Sequence, residues 1–348
     1  MSSEDFKSAK HAGVYSGIVV IVALILSTGI CTGDVANSLM YICPAGFFLA
    51  YGVCYNYLEN KKIEDDSKLY KRFKTTLLPF FVVSICICAY EAYVVLGSDQ
   101  KDVFLLMNGV SDTMSLYGYG AVGMLSALFI AGYGYEILRS KFKIPASAVI
   151  IAVLFGLFSY LYTFKFDPSF IDTSVKYYFY RLIMAVAYRG LLGMIFVCAG
   201  EALEVILVCA DKNSKPLNRL FIAIIGVLIV ICGVIVAIMN EDVSMTDMVI
   251  GNPILYVIGS LLISVGAFLV CRWIGEGWGL EYLGNRFVYI YSIGCCLGGG
   301  YLSRQVSQRL FILTNHNFVK NFSAIATMVV VEIVALLVYH YYMRVRRQ

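Results

Sequence analysis

Ten stretches of nearly unbroken apolar residues, each about as long as a helix needs to cross a hydrocarbon core, dominate this chain. They fall at approximately 14–33, 38–57, 75–96, 116–137, 145–164, 189–209, 219–239, 249–271, 286–303 and 323–343. In lipid every backbone polar group must be satisfied within the protein. Such runs therefore predict an all-α polytopic membrane protein of about ten transmembrane helices. Composition agrees, with 60% of the 348 residues hydrophobic and only 14% charged, where soluble proteins carry roughly a quarter. Mean hydropathy is +0.78. The ninth run is the shortest, and its "CCLGGG" predicts a break or a close backbone approach.

An even number of spans puts both termini on one side. With the termini inside, 19 of the 27 Lys and Arg residues fall on inner segments, so the positive-inside rule predicts that both termini are cytoplasmic. Met1 to Lys10 leads straight into the first run without a cleavage-site pattern, which predicts that the first span is retained. No hydrophilic block of domain size interrupts the pattern, and 1–348 reads as a single membrane domain. The net charge of +4 is spread over short basic clusters between apolar runs. That distribution suits a membrane surface and argues against nucleic acid as a partner. The 11 cysteines sit mostly inside apolar runs such as "VSICICAY" and "SIGCCLGG", none near a histidine at metal-ligand spacing. They read as reduced packing residues, and no metal site is expected.

Charges within spans are costly and usually face a bundle interior or a cavity. Glu201 and Glu204 in "CAGEALEVIL" share one helical face in the sixth run. A structural role, pairing helices or facing cytoplasmic water, is the stronger reading for them, and a catalytic role the weaker. Arg189, at the start of the same run, is expected to snorkel toward the outer interface. Glu91, Glu136 and Glu332 lie near span ends or at depths where sequence does not separate solvation from burial. His11 and His340 belong to the cytoplasmic ends and His316, in "LTNHNF", to the last outer loop, so no span supplies an imidazole base. Ser27, near the end of "SGIVVIVALILSTGI", either bonds back to a carbonyl one turn earlier or, less readily, takes part in catalysis.

The loop "NKKIEDDSKLYKRFKTTLLPFF" gathers Lys71, Arg72 and Lys74 at the inner mouth of the third run, just before Pro79. The cluster suits a clamp for the phosphates of a nucleotide-bearing donor, and it equally satisfies the positive-inside rule; both readings stand. The longest outer connection, "TFKFDPSFIDTSVKYYFYR", reads as an interfacial loop or a substrate-binding loop. No G-x-x-x-x-G-K-[ST], G-x-S-x-G or H-E-x-x-H pattern occurs, which leaves nucleotide hydrolysis, esterase and zinc-protease readings without support. "YGYGAVG" and "GCCLGGG" lie in apolar surroundings and point to close helix packing.

In order and spacing these features resemble the membrane acyltransferase family 3, ten-span proteins that include polysaccharide O-acetyltransferases. "YICPAGFFLAYG" is similar to that family's second-span element and "KRFKTTLLPFF" to its basic approach to the third span. "GMLSALFIAGYGYEIL", "GNPILYVIGSLL" and "LEYLGNRFVYIYSIG" resemble elements of its later spans. The resemblance implies a protein of a bacterial cytoplasmic membrane that transfers an acyl group, commonly acetyl, from acyl-CoA to a cell-envelope glycan or related acceptor. It also implies that Lys71, Arg72 and Lys74 hold the donor. Several signature groups of the family are absent. Its first-span basic residue and histidine fall on Ser16 and Ser27, the second base of its R-x-x-R on Thr75, and the serine of its SG pair on Ala45. Its WF pair falls on Gly123 and Met124, and a late histidine on Gly294. Two expectations follow. One is a divergent acyltransferase that uses Glu201 or Glu204 as base. The other is a chain without that chemistry, acting as a glycan- or lipid-binding, transport or assembly subunit.

Overall fold

The structure, a computed structural model, describes residues 3–55, 73–97, 103–118, 120–140, 148–163, 174–211, 216–240, 243, 249–274 and 277–345. These fold entirely as helices and connections. In chain order they form α1 (Ser3–Thr28), α2 (Gly33–Val53), α3 (Leu78–Gly97), α4 (Val103–Met114), α5 (Gly123–Ser140), α6 (Ala148–Thr163) and α7 (Ser174–Ile183). There follow α8 (Gly190–Asp211), α9 (Pro216–Ile238), α10 (Pro253–Ile274), α11 (Trp278–Gly284), α12 (Phe287–Tyr291), α13 (Gly299–Thr314) and α14 (Asn317–Val345). Three π-helical segments, Phe73–Leu77, Met184–Arg189 and Ser292–Cys296, join or extend these elements.

Seven helical stretches among the described residues are long and apolar enough to cross a membrane: Lys10–Thr28, Gly33–Val53, Phe73–Gly97, Phe179–Val208, Leu220–Ile238, Pro253–Ile274 and Asn317–Tyr341. Val149–Tyr162 and Phe287–Cys296 are apolar but shorter. The chain is thus an integral membrane protein by its helices. Two of the ten apolar runs differ from single spans for identifiable reasons. The fourth spends its first residues on a turn with Leu116 and Gly118 at φ 60° and 68° and on the 3₁₀ turn Gly120–Val122, so α5 begins only at Gly123. The ninth is broken, one of the two outcomes its glycines suggest: after Cys296 the chain turns through Gly298 at φ 95°, and α13 begins at Gly299 with a far more polar sequence.

Glycines set how closely the helices approach. A Cβ on Gly52 of α2 would strike the Val197 carbonyl of α8, and one on Gly200 of α8 would strike the Leu49 carbonyl of α2. The α1 to α11 contact repeats this, with Gly17 against Leu280 and Gly284 against Gly13. Without a hydrophobic drive between helices in lipid, such backbone contact is what brings them together. The shared core includes Tyr15, Phe48, Leu49, Phe196 and Val197. α9 turns Leu228, Ile231 and Ile235 outward, each about half exposed, as a lipid-facing helix requires.

Candidate functional site

Each of the three π-helical segments lines at least one of two cavities, and π-bulges inside helices are often found at functional sites. The first cavity, of about 470 Å³, lies between the end of α1, the first half of α2, the start of α5 and the broken segment 291–304. Its rim carries Tyr301, Met40 and Arg304, all exposed. Deeper in its lining are Ser27, Tyr291 and Arg189. The second, of about 860 Å³, touches the end of α2, the start of α3 and the opposite side of that broken segment. Lys74 and Arg286 supply its charge; Val82, Leu128, Phe129 and Phe287 supply much of its apolar lining.

Arg189 is the largest departure from expectation. The helical stretch that carries it begins at Phe179, so the side chain lies inside the protein, 1% exposed, and does not snorkel. Its Nη1 donates to the Tyr117 carbonyl at 2.6 Å, and its guanidinium carbon stands 4.0 Å from the centre of the Tyr117 ring. Arg181 packs on that ring at the same distance and pairs with Asp112 at 3.3 Å. The turn that presents Tyr117 is fixed by Ser126, whose hydroxyl donates to the Leu116 carbonyl at 2.6 Å. Gly123 makes room for the guanidinium, because a Cβ there would strike both Arg189 Nη1 and the Tyr117 carbonyl.

Ser27 does what its local sequence predicts. Its hydroxyl donates to the Leu24 carbonyl at 2.7 Å, and its own carbonyl accepts from Arg304 Nε at 2.8 Å. That bond holds Arg304 at the first cavity. Glu201 and Glu204 are buried and line neither cavity. Glu201 accepts from Tyr135 and pairs with Arg139 at 2.7 Å, tying α5 to α8. Glu332 is buried on α14, and a Cβ on Gly294 would strike its Oε1. It too lies outside both linings.

Lys74 lies exposed within the first π segment and borders the second cavity; Lys71 and Arg72 lie outside the described residues. Arg286, which sequence reasoning passed over, joins Lys74 there. Its guanidinium packs 3.8 Å from the centre of the Tyr282 ring and donates to the Tyr282 carbonyl at 3.3 Å. The signal was a lone arginine directly ahead of an apolar run, in "LGNRFVYIY". Arg304 was passed over as well, although it follows "GGG" by a single turn.

One wall separates the cavities. Tyr291, Cys295 and Cys296 face the first, and Ser292, Ile293 and Leu297 the second. Phe47 stacks on Phe287 at 4.8 Å and meets Tyr291 edge-on at 5.8 Å, while the Tyr291 hydroxyl donates to the Ala121 carbonyl at 3.0 Å. Both linings carry cations, and among the described residues neither includes an Asp, Glu or His. No family model, curated protein or solved structure matches this chain.

Proposed function

We propose that this chain is a divergent, acyltransferase-like membrane protein of about ten spans, with both termini cytoplasmic in a bacterial inner membrane. In that orientation the Lys74 cavity opens toward the cytoplasm and the Arg304 cavity toward the outer side. An acyl-CoA sets its phosphates against Lys74 and Arg286, with Lys71 and Arg72 nearby in sequence, and its acyl chain in the apolar interior. The acceptor hydroxyl, from an envelope glycan or related molecule, waits in the Arg304 cavity. One observation carries this reading: two cation-bearing cavities, with no acidic lining residue among the described residues, lie on opposite sides of a single broken helix. Discontinuous helices whose irregular backbone lines a cavity are a recurrent way to build a membrane-embedded site.

A second reading keeps the two binding sites and omits the transfer. It is favoured by the lack of a carboxylate or imidazole among the described residues of either lining, since general-base help contributes roughly 10²- to 10⁴-fold. Both readings are tested with the full chain in lipid nanodiscs. Acyl-CoA should bind, and Lys74→Gln with Arg286→Gln should weaken it at least about tenfold. Absence of binding at saturating acyl-CoA would remove the donor site and both readings with it. Release of free CoA that depends on an added acceptor separates transfer from binding alone. A protease-sensitive tag at either terminus, cleaved only from the cytoplasmic face, checks the orientation.

A further inference from the structure

We propose that the Lys74 cavity holds an anionic phospholipid that enters sideways from the bilayer, with its headgroup at Lys74 and Arg286 and an acyl chain along the apolar lining. The inference rests on the helices spanning a membrane and goes beyond the transfer reading, since an acyl-CoA donor would have to displace this lipid. Both cations stand where an apolar helix begins. Lys74 is the second residue of the stretch Phe73–Gly97, and Arg286 immediately precedes Phe287–Cys296. Tyrosines border the same end. Arg286 packs on the Tyr282 ring, and Tyr339, in the cavity lining, lies 4.7 Å from the Tyr289 ring. Tyrosines and cations gathered at the ends of apolar helices mark the headgroup level of a bilayer.

From that level the lining runs inward along two elements. On α3 it passes through Leu78 and Val82, one and two turns beyond Lys74; on the other side it passes from Arg286 through Ile293 to Leu297. At about 1.5 Å per helical residue, these paths reach roughly 12–16 Å from the cations, the depth at which lipid chains lie. Val83 and Leu128 of the lining are buried, whereas Leu78, Val82 and Leu297 are 41–50% exposed. Apolar side chains exposed on membrane-spanning elements face hydrocarbon, so the cavity opens to the bilayer as well as to water. Charge at the interface with hydrocarbon directly beneath it is the order of groups in a phospholipid. The contacts of Arg286 with the Tyr282 ring and carbonyl hold its guanidinium in place without neutralising it. Lys and Arg at this level favour an anionic headgroup over a zwitterionic one, and about 860 Å³ of space falls within the range of about 300–1,000 Å³ usual for small-molecule sites.

The test uses the full chain purified in a neutral maltoside detergent, with bound lipids resolved by native mass spectrometry. Probes are dioleoyl phosphatidylglycerol, dioleoyl phosphatidylcholine, which has the same chains and no net charge, and soluble glycerol 3-phosphate. Phosphatidylglycerol should bind saturably, at least about tenfold more tightly than phosphatidylcholine, and glycerol 3-phosphate should not displace it. Lys74→Gln combined with Arg286→Gln should erase the preference for the anionic headgroup. Val82→Trp, which crowds the exposed rim, should weaken phosphatidylglycerol at least about tenfold. Val94→Trp, similarly exposed on α3 but outside that lining, should leave it unchanged. Equal affinity for the two lipids, or a preference that survives loss of both cations, would overturn the proposal. Displacement by glycerol 3-phosphate would overturn it in favour of a soluble phosphate, and equal effects of Val82→Trp and Val94→Trp would overturn the sideways entry.

Discussion

Asp112 shows how far burial can outweigh an ion pair at the scale of one residue. It sits on α4, pairs with Arg181 and feels Arg189, yet burial pushes its carboxyl up to about 6 from 3.8. Its ionised form is therefore penalised by folding, and its contribution to stability is fully present below about 3.8 and lost as pH rises through about 6. Melting curves of the native chain and Asp112→Asn between pH 4 and 7.5 should show the native advantage shrinking as pH rises. A constant or growing difference would assign the linkage elsewhere. Local chemistry of this kind was unevenly legible. The Ser27 back-bond followed from one helical turn of sequence, whereas the same reach left Glu201 open between pairing helices and facing cytoplasmic water, and its bonds to Tyr135 and Arg139 decide for pairing. The burial of Arg189 did not, because its environment depends on the Tyr117 turn, supplied by residues far away in the chain.

At the scale of elements, apolar length located nearly every helix, but it did not show where helices bend or widen. π-helical segments such as Ser292–Cys296 leave no periodic mark, and the one visible warning was the glycine run after it. Glycine also records contacts that apolar periodicity does not encode. Gly52 and Gly200 occupy the same α2 to α8 contact from opposite sides. Gly52→Ala and Gly200→Ala should each cost about 1–3 kcal/mol, the usual range for overpacking. Combined, they should cost less than their sum, because the first substitution already parts the helices. Gly97→Ala, in open space at the end of α3, should leave the melting temperature within about 1 °C, since surface changes are usually within about 0.5 kcal/mol. Full additivity of the pair, or an equal loss at Gly97, would mean that this contact does not govern helix spacing.

For the whole molecule, the apolar runs established a membrane protein and the distribution of basic residues suggested its orientation, while the cavities emerge only from assembly. Ser27, Gly123, Arg189 and Arg304 are scattered over most of the chain and meet where α1, α5, the π-helical segment Met184–Arg189 and α13 come together. Gly123 makes the space that the Arg189 guanidinium occupies. Another consequence lies in the sulfur atoms of that cavity. Cys43, Cys295 and Cys296 line it as free thiols, whereas Cys86 and Cys232 are exposed on the apolar outer helices α3 and α9, where lipid shields them from charged, water-borne reagents. A sulfonate-bearing methanethiosulfonate should therefore label the cavity faster than its ammonium counterpart of equal size, and Arg304→Gln should narrow that ratio. If the two reagents react alike in the native chain, the arginines do not set the field there. If they differ as expected, the protein carries an intrinsic reporter of occupancy, since whatever fills the cavity will slow its own thiols.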